Sequence, residues 1–426
     1  MTREEFSLKR LGPGIVLALG MVWGTPGVLL GLAKAEEPAA APVPDRDQAK
    51  RVKVQLGIDV LAAGGLAPLA GLRIGLLVND ASRDGSGRRT VQVLASAQGV
   101  QLVALFSPEH GLGADRDGKI ASGRDSETGL PIHSLYGAQR RPADNMLAGL
   151  DAVVVDLQDV GVRFYTYATT MGYLMEVAAR RRLKVFVLDR PNPIGAAGVR
   201  GPMLDPDLRS FTGYFPMPLQ HGMTLGELAT MFNGELQTGA DLTVIAMQGY
   251  RRDSWFDGTG LPWVNPSPNL RTVSAAVVYP GVALIEGTNV SVGRGTPVPF
   301  ELVGAPWIDG PALAAYLERR GIAGVRFEPA VFTPNSDRYA GKRCQGIRIV
   351  LLDREALDAP RLGMELAVAL HRLHPKMFAV KDMLALLGSR PTLAAIEADK
   401  DPAVIAQRWQ AGVEAFAAMR AKYLLY

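Results

Sequence analysis

The stretch DAVVVDLQDVGVRFYTYATTMGYLMEVAARRRLKVFVLDRPNP, residues 151–193, decides the fold. Ala152–Leu157 and Lys184–Leu188 are short apolar runs rich in β-branched residues, the pattern of strands buried on both faces. Between them, Tyr167–Arg182 carries Met171, Leu174, Met175 and Ala178 at the three-four spacing of a buried helical stripe. The alternation continues outward. Strands are predicted at Leu72–Val78, Gln101–Phe106 and Asp241–Met247, and helices at Arg89–Ala97 and Leu225–Leu236. Thr224 precedes the last helix with Glu227 three residues on, the signature of a capping box. Alternating strands and helices of this kind form a parallel sheet covered on both faces, an α/β fold.

A second, smaller α/β domain is expected beyond residue 275, giving domains at 51–275 and 276–426. Its predicted strands are Ala275–Tyr279 and Gly346–Leu352, and its predicted helices Pro311–Arg320, Arg361–Leu373 and Val404–Lys422. About 375 residues are available for the two, enough for substantial cores. The first fifty residues read differently. Arg3, Lys9 and Arg10 precede an apolar run from Leu11 to Ala33, and Ala33-Lys34-Ala35 has the small-x-small form of a cleavage site. Residues 1–35 are thus expected to be a signal peptide, with a retained membrane anchor as the alternative because ~20 apolar residues span a bilayer. The Pro- and Ala-rich residues 36–50 read as a flexible tether. An exported protein, periplasmic or extracellular, follows from this.

The single cysteine, Cys344, forms no intramolecular disulfide and reads as a small packing residue. Net charge is +4 with arginine scattered along the chain, which is no nucleic-acid footprint but tolerates an anionic polymer. No HxxxH or HxH spacing suggests a metal, and the glycines at 287–295 match neither a P-loop nor a dinucleotide fingerprint, so no cofactor is expected.

Chemistry gathers where the strands end. The first predicted strand leads into Asn79-Asp80, and the second into Ser107-Pro108-Glu109-His110-Gly111. The third ends in Asp156-Leu157-Gln158-Asp159, followed by Arg163, Tyr165 and Tyr167, and the fourth in Asp189-Arg190-Pro191-Asn192. In a parallel sheet these carboxyl ends share one edge, where open α/β sheets bind ligands. A single Asp there equally caps a helix. Glu109 is the leading candidate: Pro108 stiffens its approach and Gly111 permits a tight turn. Glycoside hydrolysis needs a protonated carboxyl at the leaving oxygen and usually a second carboxylate, for which Asp159 is the preferred partner. Asp156 reads as the more structural of the two. Tyr165 and Tyr167 suit a sugar ring, Arg163 or Arg294 a substrate carboxylate. His221 stands at a helix start that favours anions, and Asn289 and Arg294 belong to a glycine-rich loop at 286–301.

Several of these segments resemble one family. Ser-Pro-Glu-His-Gly at 107–111, the whole run Asp156–Tyr167, Leu-Asp-Arg-Pro-Asn-Pro at 188–193 and His-Gly-Met-Thr at 221–224 are similar to motifs of the NamZ-type exo-β-N-acetylmuramidases. So are Pro-Ser-Pro-Asn at 266–269, Glu-Gly-Thr-Asn-Val-Ser at 286–291 and the closing Lys-Tyr-Leu-Leu-Tyr. The resemblance covers about residues 55–426 and is strong because the motifs are long and ordered. It implies a Rossmann-like N-terminal domain, a smaller C-terminal domain and a cleft between them. It also implies release of N-acetylmuramic acid from the non-reducing end of peptidoglycan fragments, with Glu109 as the catalytic glutamate and no nucleotide. His110, Asp156, Gln158, Arg163, Tyr165, Tyr167, Asp189, Arg190, Asn192, His221, Asn289 and Arg294 become candidate substrate contacts. Asn79-Asp80-Ala81-Ser82, Leu112-Gly113-Ala114 and Val292 depart from the usual pattern. A non-catalytic muropeptide-binding protein and a metal-dependent amide or ester hydrolase are the rival readings.

Overall fold

The computed structural model describes residues 53–118 and 120–426. The expected signal peptide and tether lie outside the described residues. Among the described residues no helix is long and apolar enough to cross a membrane.

The strands are β1 (Arg73–Val78), β2 (Gln101–Ser107), β3 (Gly123–Arg124), β4 (Pro131–Ser134), β5 (Ala152–Asp156) and β6 (Lys184–Leu188). They continue as β7 (Arg200–Met203), β8 (Pro218–Gln220), β9 (Asp241–Ile245), β10 (Leu302–Ala305), β11 (Val325–Phe332) and β12 (Cys344–Leu351). Seven form one sheet in the order β3-β4-β2-β1-β5-β6-β9, parallel throughout except for the β3–β4 pair. Successive residues of a strand face opposite sides. Val153 and Val155 therefore pack with the helices Tyr167–Arg180 and Leu225–Glu235, while Ala152 and Val154 pack with Ile58, Leu61 and Leu94. All three valines are fully buried, and each contributes about 1.5–3 kcal/mol relative to an exposed side chain.

From β1 the chain moves to β2 on one side, then returns to β5 and β6 on the other. The switch point of the sheet thus lies between the carboxyl ends of β1 and β5, where Val78 pairs with Asp156. Strands β10, β12 and β11 form a separate antiparallel sheet, and β7 with β8 a two-stranded ribbon. Helix Val273–Val282 and the later helices belong to the same continuous core as one face of the large sheet.

Two expectations are corrected. Ala275–Tyr279 is not a strand but part of helix Val273–Val282, started by Thr272, whose hydroxyl accepts from the Ala275 amide. Every residue from Ala275 to Val282 is buried, so the helix has no polar face, and its uniform apolar run reads like a central strand. Gly281 lets it cross helix Ala359–Leu373 closely: a Cβ there would lie 2.1 Å from the Ala359 carbonyl oxygen. The expected helix Val404–Lys422 is two helices, Pro402–Gln407 and Gln410–Arg420. Between them Trp409 turns inward and donates its indole N–H to Thr392 Oγ1 at 3.1 Å. The Thr224–Glu227 capping box is present as expected.

Candidate active site

Glu109 follows β2 after Pro108, at the mouth of a tight turn. His110 and Gly111 both adopt left-handed backbone, with φ of 70° and 72°, and the Gly111 amide donates to the Pro108 carbonyl. A non-glycine residue in that region costs roughly 1–3 kcal/mol, so the turn at His110 is held by its surroundings. The Glu109 carboxylate accepts a hydrogen bond from Thr166 Oγ1 at 2.7 Å. Tyr136 also meets this carboxylate: burial, then its hydrogen bond to Glu109, pushes the phenol up to about 12. The side chain therefore stands between two hydroxyls.

Glu109 opens onto a cleft of about 340 Å³, within the size range of small-ligand sites. Residues from both parts of the chain line it, including His110, Tyr165, Asn269, Glu286 and Arg294. Its floor is aromatic. Tyr165 lies edge-on to Tyr167 at 4.6 Å between ring centroids, and Tyr279 to Phe300 at 4.7 Å. The buried Tyr165 hydroxyl has no hydrogen-bond partner, whereas Tyr167 donates to the Pro266 carbonyl and accepts from Asn79 Nδ2 at 2.8 Å. Burial raises the Tyr167 phenol, and the charges of Glu109 and Asp159 add to the rise.

Arg294 sits at the centre of an ion cluster on the wall of this cleft. It pairs with Glu286, with Asp117 at 2.8 Å and with Asp337 at 2.5 Å. Asp117, from the loop after Glu109, also takes His110 Nδ1 at 3.3 Å and the Asn269 side chain at 3.1 Å. The cluster thereby ties the loop after Glu109 to the C-terminal part of the chain. His110, then the charge of Arg294, holds the Asp117 carboxyl well down, to about 2. A depressed carboxyl contributes stability above its unfolded pKa, and that contribution is lost as pH falls through the folded value. The thermal-stability advantage of the wild type over Asp117→Asn should accordingly be present at about pH 5 and vanish near pH 2. An advantage independent of pH would assign it to packing instead. Glu286 is a second carboxyl in the same cleft, and burial raises its pKa even beside Arg294.

Of the residues singled out from sequence, Glu109, His110, Tyr165 and Arg294 line this cleft, and Tyr167 supports its floor. The remaining residues have partners within the protein. Asp156 is fully buried in a two-point ion pair with Arg190 and accepts from Thr90 Oγ1, so this pair fills the switch point. Gln158 donates to the Asp159 and Pro191 carbonyls. Asn192 accepts from the Ile194 amide and donates to the Met223 carbonyl.

Asp189 accepts from Thr224 Oγ1, the Gly226 amide and the Tyr426 hydroxyl. The helix N-terminus expected to favour a bound anion thus holds the chain's own carboxylate. His221 is buried beneath it, its Nδ1 accepting from the Met223 amide and its Nε2 lying 3.5 Å from Asp159. Asp159 in turn accepts from the Gly161 amide and is only 5% exposed. Asn289 bridges the Met377 carbonyl and the Ala379 amide.

Arg163 departs furthest from its expected role. Its guanidinium donates to the carbonyls of Pro202, Met217, Leu386 and Leu387, and burial pushes it down to about 9. It staples three chain segments and is not placed to meet a ligand carboxylate. Arg294 keeps two of its five N–H donors beyond its three carboxylates, but its charge is already balanced.

Sequence reasoning missed Tyr136, Thr166 and Thr212. Thr166 lies between the two tyrosines already singled out, and its position as the residue before helix Tyr167–Arg180 was the available signal. Tyr136 stands in a segment without a motif. Among the described residues, no three His, Cys, Asp or Glu side chains converge as a metal site.

Comparison with known proteins matches this arrangement to one family. Residues 74–274 match the model described as exo-beta-N-acetylmuramidase NamZ, N-terminal, and residues 277–426 its C-terminal counterpart. The chain is 41% identical over 393 residues to the peptidoglycan beta-N-acetylmuramidase NamZ of Bacillus subtilis, covering 91% of this chain and 95% of that protein. Two crystal structures of DUF1343 family proteins from Bacteroides fragilis superpose with TM-scores of 0.82 and 0.71, at 32% and 34% identity. Each covers 88% of this chain, and the chain covers 100% and 99% of them. The chain therefore belongs to the NamZ family of exo-β-N-acetylmuramidases.

Proposed function

We propose that this protein is a glycosidase that releases N-acetylmuramic acid from the non-reducing end of peptidoglycan fragments, with Glu109 as its general acid. The similarity to the Bacillus subtilis enzyme over nearly the whole chain supports the reaction. One observation carries the residue assignment: Glu109 is the carboxyl that stands at the mouth of the lined cleft, held between the Thr166 and Tyr136 hydroxyls. The proton of its carboxyl passes to the glycosidic oxygen as the C1–O bond breaks, and water supplies the hydroxyl that ends on the anomeric carbon. The aromatic floor formed by Tyr165, Tyr279 and Phe300 receives the sugar ring. Arg294 and Glu286, the second carboxyl, also line the cleft. Asp159 sits below the floor and acts by holding His221 and Gly161 rather than by touching the sugar.

Disaccharides and larger muropeptides are the proposed substrates. Export, to the periplasm or the exterior, is proposed on the character of residues 1–35, and membrane attachment follows only if that segment is retained.

The test is to incubate the purified protein with chromogenic β-glycosides of N-acetylmuramic acid and of N-acetylglucosamine. Release from the first alone is expected. Calorimetric binding of muropeptides with no release from either would make it a binding protein, and loss of release on adding a chelator would point to a metal-dependent hydrolase. Thr166→Val should lower kcat/KM by up to roughly tenfold, since the hydrogen bond that orients the Glu109 carboxyl is worth about 0.5–1.5 kcal/mol. An unchanged kcat/KM would show that Thr166 does not position the acid.

A further inference from the structure

The open space around Glu109 does not end at the first cleft. A second cavity of about 580 Å³ adjoins it, and Glu109, Thr166, Thr212 and Ala385 line both. The Glu109 carboxyl therefore stands on a wall common to two compartments. On the far side the lining changes. Tyr136 and Phe211 lie with ring centroids 6.0 Å apart and an interplanar angle of 36°, and the Arg140 guanidinium rests over the Phe211 ring at 4.5 Å. Phe211 is buried and backed by Tyr173, while Tyr136 is half-exposed to the cavity. Ser210 and Thr212 bring hydroxyls to the same lining. An aromatic surface with hydroxyls beside it suits a pyranose, which offers an apolar C–H face and a polar edge.

We propose that this second cavity is the leaving-group subsite, and that it takes the N-acetylated hexosamine ring that departs with the glycosidic oxygen. The inference rests on Glu109 as the acid. A proton delivered to the oxygen between two rings requires the donor to stand between two ring sites, and the shared wall puts it there. The assignment of the rings follows from the walls. The first cleft is the smaller, and the Arg294 cluster bounds it by joining Asp117 to Glu286 and Asp337. It accommodates a terminal unit. The second cavity is larger, and exposed Arg140 and Ser210 form its lip, so a chain continuing beyond the departing ring leaves on that side. Recognition of the departing ring then lies with Tyr136 and the Phe211 platform, 27 and 102 residues beyond the acid in sequence.

The test compares two substrates of the full protein. One is the disaccharide in which N-acetylmuramic acid is β-linked to N-acetylglucosamine, and the other a chromogenic aryl β-glycoside of N-acetylmuramic acid. Ser210→Trp and Leu208→Trp place bulk in the second cavity only, and Ser210 is exposed, so that variant does not disturb the core. Each should lower kcat/KM on the disaccharide about tenfold more than on the aryl glycoside. Free N-acetylglucosamine, used as a product inhibitor, should weaken in the same variants by a similar factor. Equal losses on the two substrates, or no loss on the disaccharide, would overturn the subsite while leaving the muramidase reading in place. A wild type that cleaves neither substrate would overturn both.

Discussion

Glu109→Gln is expected to reduce kcat on a β-linked muramyl disaccharide by roughly 10²–10⁴-fold, the range for loss of a positioned general acid. Glutamine keeps the shape of the side chain and can still meet the Thr166 and Tyr136 hydroxyls, but its amide carries no proton of useful acidity. The fold should be indifferent to the change. Glu109 is only half-buried, and the turn around it depends on the backbone of His110 and Gly111 rather than on the carboxylate. Circular dichroism and thermal unfolding matching the wild type, together with the lost turnover, would confirm the assignment. Undiminished activity in the Glu109→Gln variant would remove Glu109 from the chemistry and turn attention to Glu286, the other carboxyl in the cleft.

The second large effect is on stability. Arg190→Ala leaves the fully buried Asp156 carboxylate without its countercharge, and breaking a buried pair in this way costs about 3–5 kcal/mol. Urea unfolding should show the loss as a lower midpoint. Replacing both partners by apolar residues, as Asp156→Leu with Arg190→Met, should recover much of it, because no uncompensated charge remains. The turnover of the molecules that stay folded should change little in the double variant. A double variant that is stable yet inactive would place these two residues at the substrate after all.

The same pair shows where reading the chain stops. The parallel sheet was legible in residues 151–193, since valine-rich runs flanking a helix with a three-four stripe admit few other arrangements. The placement of Glu109 in a tight turn at the strand-end edge was legible because a proline and a glycine frame it. The Asp156–Arg190 pair was not, although both residues also follow strands. A carboxylate at a carboxyl-terminal edge looks alike in sequence whether it faces a ligand or an arginine 34 residues on, and only the packing of β5 beside β6 brings the two together. Arg163 failed for the same reason. It stands in the sequence among the tyrosines expected to meet a sugar, yet its donors go to carbonyls that reach it from residues 202, 217, 386 and 387. Helix Val273–Val282 reads as a strand because burial on all sides removes the periodicity that separates the two.

The departures from the family pattern acquire a physical setting as well. Asn79, which replaces a more usual turn residue, hydrogen-bonds the Tyr167 hydroxyl below the cleft. Val292 is buried, so no charge stands at that position. Leu112 packs against the opposite face of the sheet from the cleft floor. None of the three lines the cleft. Their substitution therefore bears on how the floor is supported more than on which groups meet the sugar.

The leaving-group dependence of the Glu109→Gln variant tests the central assignment most directly. Aryl β-glycosides of N-acetylmuramic acid would be compared across phenols from strongly acidic to weakly acidic. A phenolate that departs without help needs no proton, so the variant should approach wild-type kcat on the most acidic phenol and fall steeply as the phenol weakens. The wild type should show a much shallower dependence. Parallel lines for the two proteins, with the variant equally impaired on every phenol, would contradict proton donation by Glu109.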